Sequence, residues 1–386
     1  MRKPKLLIIT QDFAVGGGTS SLSSLYNCIK DQYDIVVLPL TNEGNAVVSY
    51  NDVIHKPNFL LRSYYSNYNS STGYRKITIA FVKTLSRLYN LSGGNFESML
   101  ASRYNRLCEG CDAIISYGEG VATTFTQHLK SKNKIAWIHF EISKKPYSAQ
   151  LEDLYSHFDH IVTVSDVIAD GFKRIYPNLA QKVIGIHNMI DEDRICILLE
   201  ENIHETFNKD EFNIVSIGRL SHVKRFSEIP RIASEVRNTG IKLHWRIIGP
   251  ECDESEKVEL LNNINKYSVQ NCVEWIGART NPYPYLAKSD LYVSLSSTEA
   301  CPMVFIEARI AKTPIISTNF NTSYEFIEND IDGMICSLEE IPEAIVEIAS
   351  NKERYNEILN MSNKRVNGNT ESLNRFNKIV NKDENQ

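Results

Sequence analysis

Short runs of consecutive apolar residues alternate with amphipathic stretches along almost the whole chain. The apolar runs are rich in Val, Ile and Leu, and the stretches between them repeat apolar residues at helical spacing. Buried strands separated by helices are typical of parallel sheets covered on both faces, so the pattern predicts an α/β fold. Strands are predicted at residues 6–9, 34–38, 113–116, 135–139, 160–164, 183–187, 213–218, 243–249, 273–277, 291–294, 314–318 and 334–336. Helices are predicted between them, for example at 19–30, 224–236, 254–267 and 303–311.

The strand series breaks at a polar segment, residues 200–211, after which a new strand-loop-helix unit begins. This break predicts two doubly wound, Rossmann-like domains, residues 1–190 and 191–369. Ligands of open parallel sheets bind beyond the carboxyl ends of the strands. Two such domains facing each other would form one cleft, so the loops that follow strands are the candidates for function.

Composition supports a globular protein of two domains. The chain has 386 residues, 42% of them hydrophobic and 23% charged. A formal net charge of −5 gives no overall attraction to nucleic acid, and no nucleic-acid partner is expected. The amino-terminal apolar run, residues 6–9, is too short for a signal peptide, and no run approaches the length of a membrane span. A soluble, cytoplasmic protein is therefore expected.

The eight cysteines do not predict a metal site. Only Cys108 and Cys111 are closely spaced, and a zinc site would need a second matching pair. Ordinary reduced thiols are the expectation, with neither a metal nor a cofactor.

Residues 59–107 differ from the rest of the chain. They carry seven basic side chains and one acidic one, with aromatic residues between them. One interpretation is a helical insertion with a solvated basic face and an aromatic core. The other is a surface for anionic lipid headgroups or for a lipid-diphosphate acceptor, which would place the protein at the inner face of the cell membrane. The basic residues are Arg62, Arg75, Lys76, Lys83, Arg87, Arg103 and Arg106.

Two loops combine glycine with features suited to an anion. Gly16, Gly17 and Gly18 follow the first strand and precede a helix, although Ser21 breaks the dinucleotide fingerprint. In the second domain, Gly218 is followed by Arg219 and Lys224. A guanidinium and an ammonium suit a diphosphate, which needs directed donors and compensating charge. The alternative for Arg219 and for Lys224 is a positive charge on a helix exposed to solvent. For Arg225 this is the favoured interpretation.

A third loop follows the strand at 291–294 and contains two carboxylates. Glu299 lies before Pro302, which is placed to begin a helix, and Glu307 lies on that helix. A carboxylate in a closed cleft must be hydrogen-bonded, and vicinal sugar or ribose hydroxyls are suitable donors. Backbone N–H groups near Met303 and Val304 could meet a phosphate oxygen.

Together these motifs resemble the retaining glycosyltransferases of GT-B fold, specifically family 4, also called glycosyl transferases group 1. The resemblance rests on Gly16–Gly18, Ile138-His139, Gly218-Arg219-Leu220 with Lys224, and Glu299-x7-Glu307 in that order. It extends through the stretch from Glu307 to Thr318. Two departures, Ala300 and Thr313, stand where the family usually has glycine.

The resemblance implies a role for each matching residue. Arg219 and Lys224 would neutralise the departing nucleoside diphosphate, Glu307 would bind the ribose, and Glu299 the donor sugar. Gly17 or Gly18 would lie under the donor phosphate, His139 near the reacting carbon, and Gly277 to Arg279 beside the nucleobase. His139 alone would otherwise be read as a satisfied strand-end histidine. A helix within residues 370–386 would cross back to complete the amino-terminal, acceptor-side domain, and the second domain would bind the nucleotide sugar.

The implied function is transfer of a hexose with retention, from a nucleotide sugar such as a UDP-sugar to a glycan or lipid-linked acceptor. Surface polysaccharide biosynthesis (capsule, lipopolysaccharide or exopolysaccharide) is the implied context. Two alternatives remain: a GT-B-like sugar-nucleotide epimerase or phosphorylase, and a non-catalytic partner subunit of a glycosyltransferase. A nicotinamide dehydrogenase is poorly supported because of Ser21.

Overall fold

The chain forms two compact units, each built on its own parallel sheet. The structure, a computed structural model, describes residues 2–14, 16–41, 43–44, 48–69, 71–141, 146–365 and 368–381. One unit comprises Met1–Ile190 and Gly368–Gln386, and the other comprises Asp191–Asn367. Both sheets have six strands. The predicted α/β class with two doubly wound sheets is confirmed.

In the first unit the strand order is β2-β1-β3-β4-β5-β6, and all neighbours are parallel. The central strands are fully buried because helices cover both faces, which explains their continuous apolar sequence. The strands are β1 (Lys5–Thr10), β2 (Asp34–Pro39), β3 (Ala113–Tyr117), β4 (Lys134–Ile138), β5 (His160–Thr163) and β6 (Val183–Gly185). The helices are α1 (Gly17–Ile29), α2 (Phe59–Tyr65), α3 (Gly73–Leu91), α4 (Phe96–Ser102), α5 (Asn105–Cys108), α6 (Val121–Gln127), α7 (Ala149–Ser156) and α8 (Asp166–Ile175).

The second unit repeats the architecture with the strand order β12-β11-β10-β7-β8-β9, again all parallel. Its core surrounds Trp245, Ile247 and Val293. The strands are β7 (Phe212–Ile217), β8 (Leu243–Ile248), β9 (Val273–Gly277), β10 (Leu291–Ser294), β11 (Ile315–Thr318) and β12 (Met334–Cys336). The helices are α9 (Glu192–Leu199), α10 (Ile229–Asn238), α11 (Glu254–Lys266), α12 (Tyr283–Lys288), α13 (Met303–Ile310), α14 (Ser323–Phe326), α15 (Ile341–Ser350) and α16 (Lys352–Lys364).

The last helix, α17 (Asn369–Val380), belongs to the first unit. Its Phe376 ring is fully buried, with ring centroids 5.6 Å from Tyr33 and 6.0 Å from Trp137. The Asn133 side chain donates a hydrogen bond to the carbonyl oxygen of Ile379 at 2.7 Å. This helix therefore supplies part of the first unit's core, although the strands of that unit end nearly two hundred positions earlier in the chain.

The helix predicted at 224–236 begins later than expected. Arg225 has a φ of +52°, in the left-handed region, which a continuing α-helix excludes. A short 3₁₀ turn, Phe226–Glu228, follows, and α10 begins only at Ile229. Lys224 consequently lies in the loop between β7 and this turn, and not on a helix.

Cys108 and Cys111 are free thiols, and each donates to the carbonyl oxygen four residues earlier, Tyr104 and Leu107 respectively. Burial raises the pKa of the Cys108 thiol to about 12.

Among the described residues, none of the helices has the length and hydropathy required to cross a lipid bilayer.

Replacing Phe376 by Ala should destabilise the first unit, because it removes a buried ring from the contact between α17 and the sheet. Large-to-small substitutions of this kind cost roughly 3–5 kcal/mol. Urea unfolding followed by tryptophan fluorescence measures the loss, since Trp137 reports on the first unit. Phe81→Ala, whose ring is 61% exposed, is the control and should change stability little. Equal effects of the two substitutions would contradict a structural role for α17.

Candidate functional site

The strand order of each sheet reverses at one place, and the candidate loops lie there. In the first sheet β1 has β2 on one side and β3 on the other, and in the second sheet β7 lies between β8 and β10. The chain leaves β1 into the glycine turn, leaves β7 into Gly218 and Arg219, and leaves β10 toward Glu299. Such reversal points are where open parallel sheets bind ligands, because neighbouring loops there diverge to opposite faces.

Glycines at the ends of β7 and β8 let the backbone pack closely. A Cβ atom at Gly249 would lie 1.8 Å from the carbonyl oxygen of Gly218, so no other residue fits without moving the main chain. A Cβ at Gly218 would lie 2.9 Å from Cε of Lys224. The absence of a side chain at Gly218 therefore makes the room in which the Lys224 side chain lies.

Lys224 forms an ion pair with Glu299, so the loop after β7 and the loop after β10 meet. Ser296 Oγ donates to the same Glu299 carboxylate oxygen at 2.7 Å. The backbone N–H of Ser297 donates to the carbonyl oxygen of Val223 at 2.8 Å, a second link between the loops. The Lys224 and Glu299 side chains remain 21% and 19% exposed. Both charges can therefore still be reached by a bound molecule.

Glu307 lies on α13 and is almost fully buried, at 9% exposure. Burial raises the pKa of its carboxyl to about 7, while a hydrogen bond from Tyr283 and the Lys224 charge act to lower that pKa. The Tyr283 hydroxyl donates to Glu307 Oε1 at 3.3 Å. Glu299 and Glu307 together also raise the pKa of the buried Tyr292 hydroxyl, after burial itself. Lys224 and the two glutamates thus form one electrostatic cluster.

Two further predicted residues of the second unit, Arg219 and Arg279, differ in their contacts. Arg219 is exposed in the loop after β7, and its guanidinium has no carboxylate partner among the described residues. Arg279 is engaged: it pairs with Glu205 at 2.7 Å and bonds to the Tyr285 hydroxyl at 2.9 Å. Its side chain therefore ties the segment before β7 to the loop after β9. The carbonyl oxygen of Gly277 accepts from the backbone N–H of Gly249 at 2.9 Å, and that of Ala278 accepts from the Arg279 guanidinium at 3.3 Å.

At the start of α13, Met303 and Val304 are half-buried. The Met303 N–H donates to the carbonyl oxygen of Cys301 at 2.9 Å. The N–H expected to be free at Met303 is therefore engaged within the turn that begins α13.

In the first unit, the glycine turn opens onto space that no side chain of the described residues fills. Apart from chain neighbours and the helix's own backbone, a Cβ atom at Gly16, Gly17 or Gly18 would meet none of their atoms within 4 Å. Packing against the described residues therefore does not account for glycine at these three positions.

His139, just beyond β4, is held by its surroundings in the neutral form. Burial lowers the pKa of its imidazole to about 4. Its backbone N–H donates to Glu119 Oε2 at 3.1 Å, and its ring lies 4.7 Å from that of Tyr117. The Nε2 atom is buried without a hydrogen-bond partner among the described residues. A polar atom in that state is unusual and is consistent with a partner supplied by a ligand.

Sequence reasoning missed the residues that support the charged ones. Tyr283, Ser296 and Glu119 each bond to a predicted residue, and Thr322 donates to the main-chain oxygen of Glu299 at 2.7 Å. All four follow a strand closely or stand at the start of a short helix, and polar residues are common at such positions. No pattern in the sequence distinguishes them.

Residues 200–365, which contain the cluster, match the family model described as Glycosyl transferases group 1. The uncharacterized glycosyltransferase MJ1059 of Methanocaldococcus jannaschii is 28% identical over 171 residues, covering 44% of this chain and 41% of that protein. The amylovoran biosynthesis glycosyltransferase AmsD of Erwinia amylovora is 31% identical over 127 residues, covering 33% and 35% respectively. This chain thus matches less than half the length of either relative.

The fold of the whole chain is similar to that of a solved structure, Anabaena Alr3699/HepE in complex with UDP-glucose. The TM-score is 0.69, the match covers 97% of this chain and 99% of that one, and the identity is 14%. Likeness at this identity establishes the fold. The GT-B fold class is therefore confirmed, and the resemblance of the second unit to group 1 glycosyltransferases is supported.

Glu307→Gln should change how stability depends on pH. The pKa of the Glu307 carboxyl is raised from 4.5 to about 7 in the folded chain. It therefore contributes stability that is fully present below pH 4.5 and is lost as the pH rises through about 7. Relative to wild type, the variant should gain about 3 kcal/mol in the free energy of unfolding between acidic and mildly alkaline pH.

Urea unfolding across that pH range measures the difference. Glu343→Gln, at an exposed position of α15, is the matched control and should run parallel to wild type. A constant offset between Glu307→Gln and wild type at every pH would show that Glu307 does not titrate in this way.

Proposed function

We propose that this chain is a retaining glycosyltransferase that moves a hexose from a nucleoside diphosphate sugar to a glycan or lipid-linked acceptor. A UDP-sugar is the first donor to test. The observation that carries the proposal is the cluster of Lys224, Glu299 and Glu307 at the reversal point of the second sheet. Cations beside carboxylates suit a ligand that is itself divided into an anionic diphosphate and neutral hydroxyl groups.

Lys224 and Arg219 are proposed to bind the donor diphosphate. Arg219 is exposed and has no carboxylate partner among the described residues, so its full charge is available. The ammonium of Lys224 has three donors, of which Glu299 engages one. The remaining donors can meet phosphate oxygens. As the bond from the sugar C1 to the phosphate oxygen breaks, negative charge grows on the departing diphosphate and both contacts strengthen.

Glu307 is proposed to bind the ribose and Glu299 the hydroxyl groups of the donor sugar. A buried carboxylate with one long hydrogen bond is costly to ionise, as the raised pKa of Glu307 shows. Two vicinal ribose hydroxyls would supply the missing donors and favour the charged form. Glu299 is more exposed and is held in place by Ser296 and Lys224.

In the first unit, Gly17 and Gly18 are proposed to lie against the donor phosphate, since no side chain among the described residues occupies that space. His139 is proposed to contact the sugar near the reacting carbon as a neutral hydrogen-bonding group, because its pKa of about 4 excludes a cation near neutral pH. Retention is proposed to follow from attack on the same face. The acceptor oxygen bonds to C1 while its proton passes to the departing phosphate oxygen, and no protein nucleophile takes part.

Surface polysaccharide assembly is the proposed context. AmsD is named for amylovoran biosynthesis, and the similarity of this chain to it supports the proposal.

The proposed donor specificity can be tested without knowing the acceptor. Incubated with a panel of UDP-, GDP- and dTDP-sugars, the protein should slowly hydrolyse one of them, because water can replace the acceptor. Mass spectrometry detects the released nucleoside diphosphate and free sugar. Release of nucleotide from none of the panel would contradict the proposal, and conversion of one nucleotide sugar into its isomer would favour an epimerase.

Lys224→Ala should lower turnover by one to three orders of magnitude, roughly the effect of losing a contact made in the transition state. The rate of nucleotide release, at saturating donor, measures this change. Arg225→Asn is the control: it removes the neighbouring charge, and asparagine tolerates the left-handed conformation of that position. It should keep most of the activity. Equal losses in the two variants would mean that the local charge, and not the Lys224 contact, is what matters.

A further inference from the structure

Helices α9, α13 and α16 of the second unit border a cavity of about 450 Å³. Pockets that hold small molecules usually have volumes of roughly 300–1,000 Å³, so a small metabolite would fit. The lining combines three basic side chains, one acidic side chain and two isoleucines, namely Arg309, Lys312, Arg365, Glu192, Ile306 and Ile310.

The cavity is separate from the charged cluster described above. Neither Lys224 nor Glu307 lines it. At about 100° per residue, Ile306, Arg309 and Ile310 fall within an arc of about 100° on α13, and Glu307 lies outside that arc. Helix α13 therefore directs Glu307 to one side and borders the cavity with another.

Arg309 is buried beside the cavity with part of its hydrogen-bonding capacity unused. Its side chain is 8% exposed overall, and its Nε atom has no hydrogen-bond partner among the described residues. One Nη atom donates to the carbonyl oxygen of Phe326 at 2.6 Å. A guanidinium has five N–H donors, and a buried donor without a partner is unusual. A ligand in the cavity would be a suitable acceptor for this group.

Two guanidinium groups share one carboxylate at this place. Arg365 Nη1 donates to Asp332 Oδ2 at 2.7 Å, and the same oxygen lies 3.9 Å from Arg309 Nη2. Burial, and next the charge of Arg365, lower the pKa of the Arg309 guanidinium to about 10, although Asp332 acts to raise that pKa. Lys312 adds a third positive charge and Glu192 a second negative one. Cations therefore outnumber carboxylates around the cavity.

The helix dipole alone does not explain this arrangement. The carboxyl end of a helix favours cations, which accounts for an exposed lysine such as Lys312 just beyond α13. It gives no reason to bury a guanidinium, because burial removes the charge of Arg309 from water at a cost in free energy. An anion bound in the cavity would offset that cost.

We propose that this cavity binds the phosphate group of a small metabolite. The guanidinium groups of Arg309 and Arg365 donate to the phosphate oxygens, a pairing that suits the planar fork of arginine, and Lys312 adds charge. Ile306 and Ile310 contact the rest of the molecule, which a phosphate ester has and the free ion lacks. The inference goes beyond the proposed reaction and does not rest on it, because the cavity lies apart from the donor cluster.

Protection of Lys312 from an amine-reactive reagent tests the proposal at the site itself. The full-length protein is treated with a limiting amount of an acetylating succinimidyl ester, and peptide mass spectrometry measures labelling at Lys312 and at Lys352, an exposed lysine of α16. Glucose 6-phosphate or inorganic phosphate should slow labelling of Lys312 by about threefold or more, relative to sodium chloride of equal ionic strength. Labelling of Lys352 should not change. Half-protection at a lower concentration of glucose 6-phosphate than of phosphate would identify an ester as the ligand, and the reverse would identify the free ion.

Two variants remove the guanidinium charges and leave Lys312 in place as the reporter. Arg309→Gln and Arg365→Gln should each raise the concentration needed for half-protection about tenfold, because each loses a charge-assisted hydrogen bond. Circular dichroism checks their folding. If the buried position does not tolerate Arg309→Gln, the more exposed Arg365 carries the test.

Matched controls separate the cavity from general effects of charge. Arg354→Gln makes the same change on α16 at a residue that does not line the cavity, and Lys224→Ala alters the proposed donor site. Both should protect Lys312 like wild type, so the outcome is independent of the proposed reaction. Absence of protection in the wild-type protein, equal protection of Lys352, or the same effect from sodium chloride would overturn the proposal.

Discussion

The buried carboxyl group of Glu307 is the constraint on which the second unit's site depends. A carboxylate removed from water is unfavourable unless donors surround it, and here the Tyr283 hydroxyl donates at 3.3 Å. The carboxyl consequently binds a proton far more readily than an ordinary glutamate. The fold tolerates this group because Lys224 lies near enough to favour its charged form. A ligand that brings hydroxyl donors would also reduce the energetic cost of the charged carboxylate. The buried carboxyl that is unfavourable in the free protein would therefore strengthen binding of such a ligand.

The sheet topology decides which loops can share such a cluster. Because β10 returns to pair with β7 on the side away from β8, the loops that follow β7 and β10 are neighbours although about eighty residues separate them. Their approach also requires close backbone packing, for which Gly218 and Gly249 leave the room. The first unit has the same reversal beside β1, where its glycine turn lies.

The two units differ in how they place their charges. The second unit pairs most of its arginines with carboxylates and keeps Arg219 as an exposed exception. In the first unit, six of the seven basic residues in 59–107 have no carboxylate partner among the described residues. A charge that is paired within the chain stabilises the position of its side chain, whereas an unpaired charge can attract a ligand or another molecule.

The sequence by itself determined the elements: each apolar run predicted as a strand is one, because uninterrupted Val, Ile and Leu can be buried only where both faces are covered. Glu299 and Glu307 were also visible, since their spacing around Pro302 implies a loop and a helix start. The tertiary structure alone decided that Arg279 pairs with Glu205, that Tyr283 supports Glu307, and that α3 turns one apolar face outward. Helical periodicity identifies apolar faces but not which of two is covered. Contacts between residues far apart in the chain follow from strand order and packing, which local patterns do not encode.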